Sequence, residues 1–243
     1  MPTQLLFTQL LNKNLAQPVD SLLRAVHVTP QFPNAPITNA FSMELLVFLF
    51  LLIYFVIVRL SLSVETPGGV QHLAEMTHEF VSDQSQQIIG HGYERFTGYV
   101  TALFLFILIG NCLGLIPGLE SPTANVTVPL GFALVTFVYY HYHGIRANGP
   151  AYIKQFLGPV WWLAWLLFPI EVISHCARIL SLTVRLYANI FAGDLLTLAF
   201  FSIFPIGVPL IFLALHLGVA AIQAYIFMLL AIIYLSLAVA HEH

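Results

Sequence analysis

Charge is what this sequence has least of. Of its 243 residues only 8% are Asp, Glu, Lys or Arg, against 59% that are hydrophobic, and the mean hydropathy is +0.87. A soluble domain carries about 25% charged residues. A globule of this length would therefore lack the polar groups to cover its surface, and a water-soluble fold is excluded. Basic runs are missing too: 8 Lys+Arg stand against 11 Asp+Glu, a formal net charge of −3, which removes the electrostatic footprint of nucleic-acid binding. The two cysteines, Cys112 and Cys176, lie in apolar runs without metal-ligand spacing and read as free, small, buried hydrophobes. A glycine-rich phosphate loop, a nucleophile elbow and a metal cluster are all lacking, so neither soluble-enzyme chemistry nor a cofactor is expected. His141, His143 and the terminal His241-Glu242-His243 have no third defined ligand beside them and are not read as a metal site. The polar, proline-bearing residues 1–40 also lack the pattern of a secretory signal, so the first apolar run is expected to be retained.

Long apolar runs are what the chain has in abundance. A helix needs roughly 20 apolar residues to cross about 30 Å of hydrocarbon, and spans are expected at about 41–60, 96–116 and 126–142. Between the first two, Ser61 to Glu94 holds five of the eleven acidic residues and must sit in water or at the interface. Val70, Leu73, Thr77 and Phe80 recur there at helical spacing, as in an amphipathic helix lying on a membrane or a partner; a solvated loop fits about as well. The run from Val160 to Phe204 is too long for one upright span, since about 45 helical residues would measure nearly 70 Å. No turn chemistry appears between Ile170 and Phe200, which favours a long tilted helix after a kink at Pro169. A turn at Pro205, Gly207 and Pro209 then sends 209–240 back. The expected architecture is all-α: a polytopic membrane domain over 41–240 with about five membrane-embedded helices and a strongly tilted C-terminal hairpin. Gly110, Gly114 and Gly118 form a GxxxGxxxG series that suits close helix packing, although chance glycines near a helix end explain it nearly as well.

Arg59, Arg95, Arg146 and Lys154 lie in or beside the loops at 61–95 and 144–158, whereas the links near 120 and 205 carry no basic residue and the N-terminal tail holds Lys13 and Arg24. By the positive-inside bias, five crossings put the tail outside and residues 241–243 inside.

Four charges lie within one apolar element, Glu171, Arg178, Arg185 and Asp194, and charges held in hydrocarbon usually line an ion or substrate path. At about 100° per residue, Glu171, Arg178 and Arg185 fall on one stripe with Ser174, Ser181 and Asn189 beside it, while Asp194 points to the opposite side. Arg178 reads as a helix-end or lipid-facing charge that reaches the interface by snorkelling, only loosely compensated by Glu171. Arg185 has no carboxylate one turn away, and the returning helix offers only His216, Gln223 and Ser236 before its end. A guanidinium fixed in hydrocarbon without a counter-ion in its own chain implies a carboxylate from another chain or a substrate. If the turn occupies about 200–208, residues equidistant from it meet: Asp194 with His216, and Arg185 with Gln223. Asp and His exchange protons and Arg does not. This is proton handling with a fixed positive block in the middle, or else substrate binding by a self-contained ion-coupled secondary transporter, although no internal repeat of the kind such transporters show is present.

The stretch Ser181-Leu-Thr-Val-Arg185-Leu-Tyr-Ala-Asn189-Ile-Phe-Ala-Gly193-Asp194, followed by His216 and Ile222-Gln223-Ala-Tyr-Ile-Phe227, resembles subunit a of the F-type ATP synthases. Asn111-Cys-Leu-Gly-Leu-Ile-Pro-Gly118 and Ser121-Pro-Thr-Ala-Asn125 are similar to the second-span motif of the same family and the loop after it. The resemblance implies a non-catalytic stator subunit beside the rotating c-ring, with the peripheral-stalk subunit b, membrane lipid and the translocated proton as its other partners. It implies that Arg185 faces the ring's carboxylate and bars proton leakage. Asn189, Asp194, His216 and Gln223 would line the outer half-channel, and Glu171 and Ser174 the inner one. Where the family often has proline after the position of Arg178, this chain has Ile179, so the local bend is expected to differ. An acid at 194 with His at 216 is similar to the bacterial arrangement and implies a bacterial plasma membrane ahead of a chloroplast one.

Overall fold

The computed structural model describes residues 4–25, 35–63, 68–116, 118–149, 152, 162, 164–203 and 207–239. Lys154, Pro205 and the terminal His241-Glu242-His243 lie outside the described residues.

Every regular element among them is helical: α1 (Leu6–Ala25), α2 (Asn39–Leu60), α3 (Gly69–Ile89), α4 (Glu94–Leu113), a 3-10 turn (Pro122–Ala124), α5 (Thr127–Asn148), α6 (Ala164–Ile203) and α7 (Val208–Val239). Four helices are long and apolar enough to cross a membrane, at Asn39–Leu60, Glu94–Leu113, Ala164–Ile203 and Leu210–Val239. The expected third span coincides with α5, which falls short of that group in apolarity: it carries Tyr139, Tyr140, His141, His143 and Arg146. It is embedded by packing instead, against α6 and α7.

Local sequence sets the helix boundaries. Thr38 caps α2, its Oγ1 accepting the Phe41 backbone N–H at 3.3 Å. Within α6, Pro169 is the sixth residue and removes the backbone bond to the Trp165 carbonyl, yet the helix continues to Ile203. Its 40 residues make it about 60 Å long, twice the hydrocarbon thickness, so an apolar helix of this length has to lie steeply tilted.

The core is built around α7, which packs against α3, α4, α5 and α6. Ala220, Ala224, Ala231 and Ala238 lie on its buried side beside Phe227, Met228, Ile232 and Leu235. Small residues let neighbouring backbones approach, and the large ones fill the gaps between them. Leu182, Leu186 and Ile190 of α6 meet Ala220, Ala224 and Phe227 there, together with Leu103 and Ile107 of α4. By contrast α2 buries only Ser42, Met43, Val47 and Leu51 and leaves Phe48, Phe50, Ile53, Phe55 and Ile57 outward. With none of the other described residues over them, these side chains suit contact with lipid.

Of the two readings of the stretch 69–89, the helix is the one that forms; Gln71, Val81 and Ser85 are buried, while Val70, Leu73, Met76 and Phe80 are exposed. Other expectations change. The N-terminal region, read only as a polar tail, contains α1, tied to the start of α2 by two hydrogen bonds of 3.1 Å between the Asn12 side chain and the Ile37 backbone. Gly110 and Gly114 do permit a close approach, but to the chain's own next turn. A Cβ on Gly114 would lie 2.9 Å from Ser121 Cβ, and one on Gly110 would lie 3.3 Å from Pro122 Cγ. Cys176 is exposed and Cys112 only half-buried, because both sit on helix faces that the other described residues leave at least partly uncovered.

Candidate functional site

The polar side chains of α6 and α7 form a series of stations along the tilted hairpin. Nearest the turn, the Asp194 carboxylate lies 3.7 Å from His216 Nδ1. His216 is 4% exposed, and its Nε2 has no hydrogen-bond partner among the described residues. Glycine makes this meeting possible, since a Cβ on Gly193 would fall 2.9 Å from the imidazole of His216. The Glu120 carboxylate, in the loop after α4, is close enough to repel the charge of Asp194. Glu120 is a residue that sequence reasoning missed.

One turn and a half further along α6, Asn189 Nδ2 donates to Gln223 Oε1 at 2.8 Å, and Gln223 is 2% exposed. The expected meeting of Arg185 with Gln223 does not occur. Symmetric counting from the turn holds for Asp194 and His216, but four residues further on the amide of Gln223 is taken by Asn189. Arg185 projects from the face that α7 leaves bare. There its Nη2 donates to Ser181 Oγ at 3.3 Å, one turn back on the same helix. Among the described residues no carboxylate forms an ion pair with it. Arg185 is exposed, as are its neighbours Ser181, Val184, Ala188 and Asn189 on the same helix.

At the far end of α6, Glu171 meets His175 rather than Arg178: Glu171 Oε1 lies 3.3 Å from His175 Nε2. The other ring nitrogen, His175 Nδ1, is 2.9 Å from the Tyr140 hydroxyl on α5. Arg178 is not lipid-facing. Its guanidinium lies 5.1 Å over the ring of Tyr234 on α7, because the inward side of α6 here borders a cavity of about 180 Å³. Tyr140, Tyr152, Glu171, His175, Arg178 and Tyr234 line that cavity. Tyr152, between α5 and α6, bonds through its hydroxyl to His141 Nδ1 at 2.7 Å. Burial pushes the Tyr152 phenol up to about 12, so at neutral pH it stays a protonated donor. Ser174 is half-buried beside Glu171. Sequence reasoning passed over His175, although its spacing of four from Glu171 was a signal for a pair on one helix face. No spacing rule could have supplied Tyr140, which comes from another helix.

A buried polar knot holds the middle of the site in register. Asn111 of α4 is fully buried; its Nδ2 donates to the Ala220 carbonyl at 3.2 Å, and its Oδ1 accepts from Thr123 at 2.6 Å. Ser121 bonds Thr123 and the Gly110 carbonyl, so the 3-10 turn is tied to α4, which holds α7 at Ala220, between His216 and Gln223.

A membrane-embedded, all-helical subunit with titratable pairs on either side of a bare arginine is the class of protein these features define. Comparison with known proteins then supplies the family. The profile of the family described as ATP synthase A chain matches residues 40–236. A protein of Koribacter versatilis named ATP synthase subunit a is 55% identical over 244 residues, covering 100% of both chains. A protein of the same name from Solibacter usitatus is 41% identical over 96% of this chain and 99% of its own. A third, from Nitratidesulfovibrio vulgaris, is 44% identical over 77% of this chain and 80% of its own. The chain belongs to the ATP synthase A chain family.

Proposed function

We propose that two offset half-channels meet at Arg185, which faces the ionisable carboxylates of a rotating ring. The chain is the proton-translocating stator subunit of an F-type ATP synthase, a multi-pass membrane component of that complex. It carries no catalytic site for ATP; its partners are the c-ring and the peripheral-stalk subunit b. A proton enters past Asp194 and His216, moves along the Asn189–Gln223 pair and neutralises a ring carboxylate, which then turns into lipid. After nearly a full revolution the carboxyl gives up its proton near Glu171 and Ser174. Arg185 attracts the newly ionised carboxylate and, because it does not deprotonate, blocks a direct path between the half-channels. The site residues keep these roles in a bacterial plasma membrane, with the N-terminus outside and the C-terminus inside. The domain from about 41 to 240 carries the whole path.

The bare placement of Arg185, exposed with Ser181 Oγ as its hydrogen-bond acceptor and no carboxylate paired with it among the described residues, carries this reading. A charge so placed is stable only beside an anion that another chain brings. The secondary-transporter alternative falls with the family assignment. Arg185→Ala in the assembled enzyme, reconstituted in vesicles, is expected to abolish ATP synthesis driven by a proton gradient while the ring still co-purifies. Synthesis that survives in the assembled variant would remove the central role of Arg185.

A further inference from the structure

We propose that His175 is a proton-relay residue, through which the exit path turns away from the exposed face of α6 and runs inward, from Glu171 to the Tyr140 hydroxyl and the cavity between α5, α6 and α7. This inference rests on the proton-translocating reading above. Three observations carry it. His175 is 8% exposed, yet both of its ring nitrogens are engaged, Nε2 by Glu171 Oε1 at 3.3 Å and Nδ1 by the Tyr140 hydroxyl at 2.9 Å. The group it bridges to is itself buried, Tyr140 being 2% exposed. Both open onto the cavity of about 180 Å³, which has room for water and polar walls to hold it.

An imidazole bonded through both nitrogens passes a proton without moving its ring. A protonated Glu171 gives its proton to Nε2, which breaks the carboxyl O–H and forms an N–H. The proton on Nδ1 then passes to the Tyr140 oxygen as the hydroxyl's own proton leaves for water in the cavity. The carboxylate, the neutral imidazole and the neutral phenol are all restored; the ring is left in its other tautomer, and a rotation of the imidazole that breaks and remakes both hydrogen bonds resets it before the next proton. Among the described residues, the charged and titratable groups facing His175 are Glu171 and Arg178 on its own helix, Tyr140 and His141 on α5, and, across the cavity, Tyr234 of α7 and Tyr152. The His141 ring, 4.8 Å away and bonded to Tyr152, extends the polar wall towards the segment between α5 and α6.

The test uses the whole enzyme in vesicles, with passive proton conduction measured after the catalytic head is stripped. His175→Gln keeps hydrogen-bonding groups and cannot relay, and conduction is expected to fall about a hundred-fold, the lower end of what a positioned acid–base group contributes. His175→Ala should fall similarly, recover with added imidazole, and fail to recover with pyrrole, a ring of like size without a basic nitrogen. Tyr140→Phe removes only a hydroxyl from the core and should lower conduction in the same direction. Wild-type conduction in assembled His175→Gln, or in Tyr140→Phe if the histidine variants do not assemble, overturns the relay. So does equal recovery with imidazole and pyrrole, which would show that His175 only fills space. Loss of synthesis in Arg185→Ala with unchanged conduction in the His175 variants would sink the relay alone. Synthesis that survives in Arg185→Ala would sink the stator reading beneath it.

Discussion

The two ends of the α6–α7 hairpin handle protonatable groups in different ways. Near the turn, the site is made by two helices in close contact: Asp194 and Asn189 come from one, His216 and Gln223 from the other, and Gly193 thins the seam between them. At the far end the helices diverge around a cavity, and the site draws on more elements, with Glu171, His175 and Arg178 on α6, Tyr140 and His141 on α5, Tyr234 on α7, and Tyr152. A two-helix seam depends on fit, because each group has few partners. A cavity walled by aromatic rings and phenol hydroxyls depends on its network, because protons have more than one acceptor. Arg185 stands between the two and belongs to neither, on the face turned away from both.

This contrast can be broken at several points. The largest effect is expected at the seam, where Asp194→Asn removes the acid that pairs with His216; ATP synthesis under an imposed proton gradient should drop by about a hundred-fold or more. Equal synthesis in the assembled variant would place the entry elsewhere. Next comes Gly193→Ala. Its Cβ would fall 2.9 Å from the His216 ring, so the imidazole must shift and conduction should fall by about ten-fold, within the range over which small misplacements act. In a cysteine-depleted background, cysteines at 194 and 216 should crosslink readily, and less so when Gly193→Ala is added; failure to crosslink at all would discard this seam.

Smaller effects test what holds the seam in register. Asn111→Ala removes two buried hydrogen bonds, to the Ala220 carbonyl and from the Thr123 hydroxyl, which at about 0.5–1.5 kcal/mol each costs about 1–3 kcal/mol. Thermal unfolding of the detergent-solubilised complex should show the loss, and an unchanged transition would free α7 from this anchor. The smallest effect is the coupling between Asn189 and Gln223. Interhelical hydrogen bonds in membranes average about 0.6 kcal/mol, so a double-mutant cycle on conduction should deviate from additivity by roughly three-fold. Strict additivity would mean that the two amides act independently.

Much of this architecture was legible before any coordinates. Hydropathy alone locates α2 and α4, and the absence of turn chemistry between Ile170 and Phe200 shows in one continuous α6. The Asp194–His216 meeting followed from counting back from a turn. The same counting misplaced Gln223 by one helical turn, since four residues of drift decide whether Arg185 or Asn189 is its neighbour. Arg178 was misread because a long cationic side chain near a helix end has two homes, the interface or an aromatic wall, and composition does not distinguish them. Of the glycine series suited to helix packing, Gly110 and Gly114 meet the chain's own turn instead of another helix and Gly118 meets nothing within 4 Å; a turn seven to twelve residues further on gives no sign in the sequence of folding back.

The sequence by itself determined that this protein lives in a membrane, that its chain is helical and that a few charges lie within its apolar elements. Those conclusions follow from solvation: apolar runs must leave water, and a buried charge must find a partner. Tertiary structure alone decided which side chains share a site. His175 meets Tyr140, Asn189 meets Gln223 and Asn111 reaches Ala220 because helices far apart in sequence pack at specific rotations. Rotation about a helix axis is set by the packing of whole faces, and no single residue announces it.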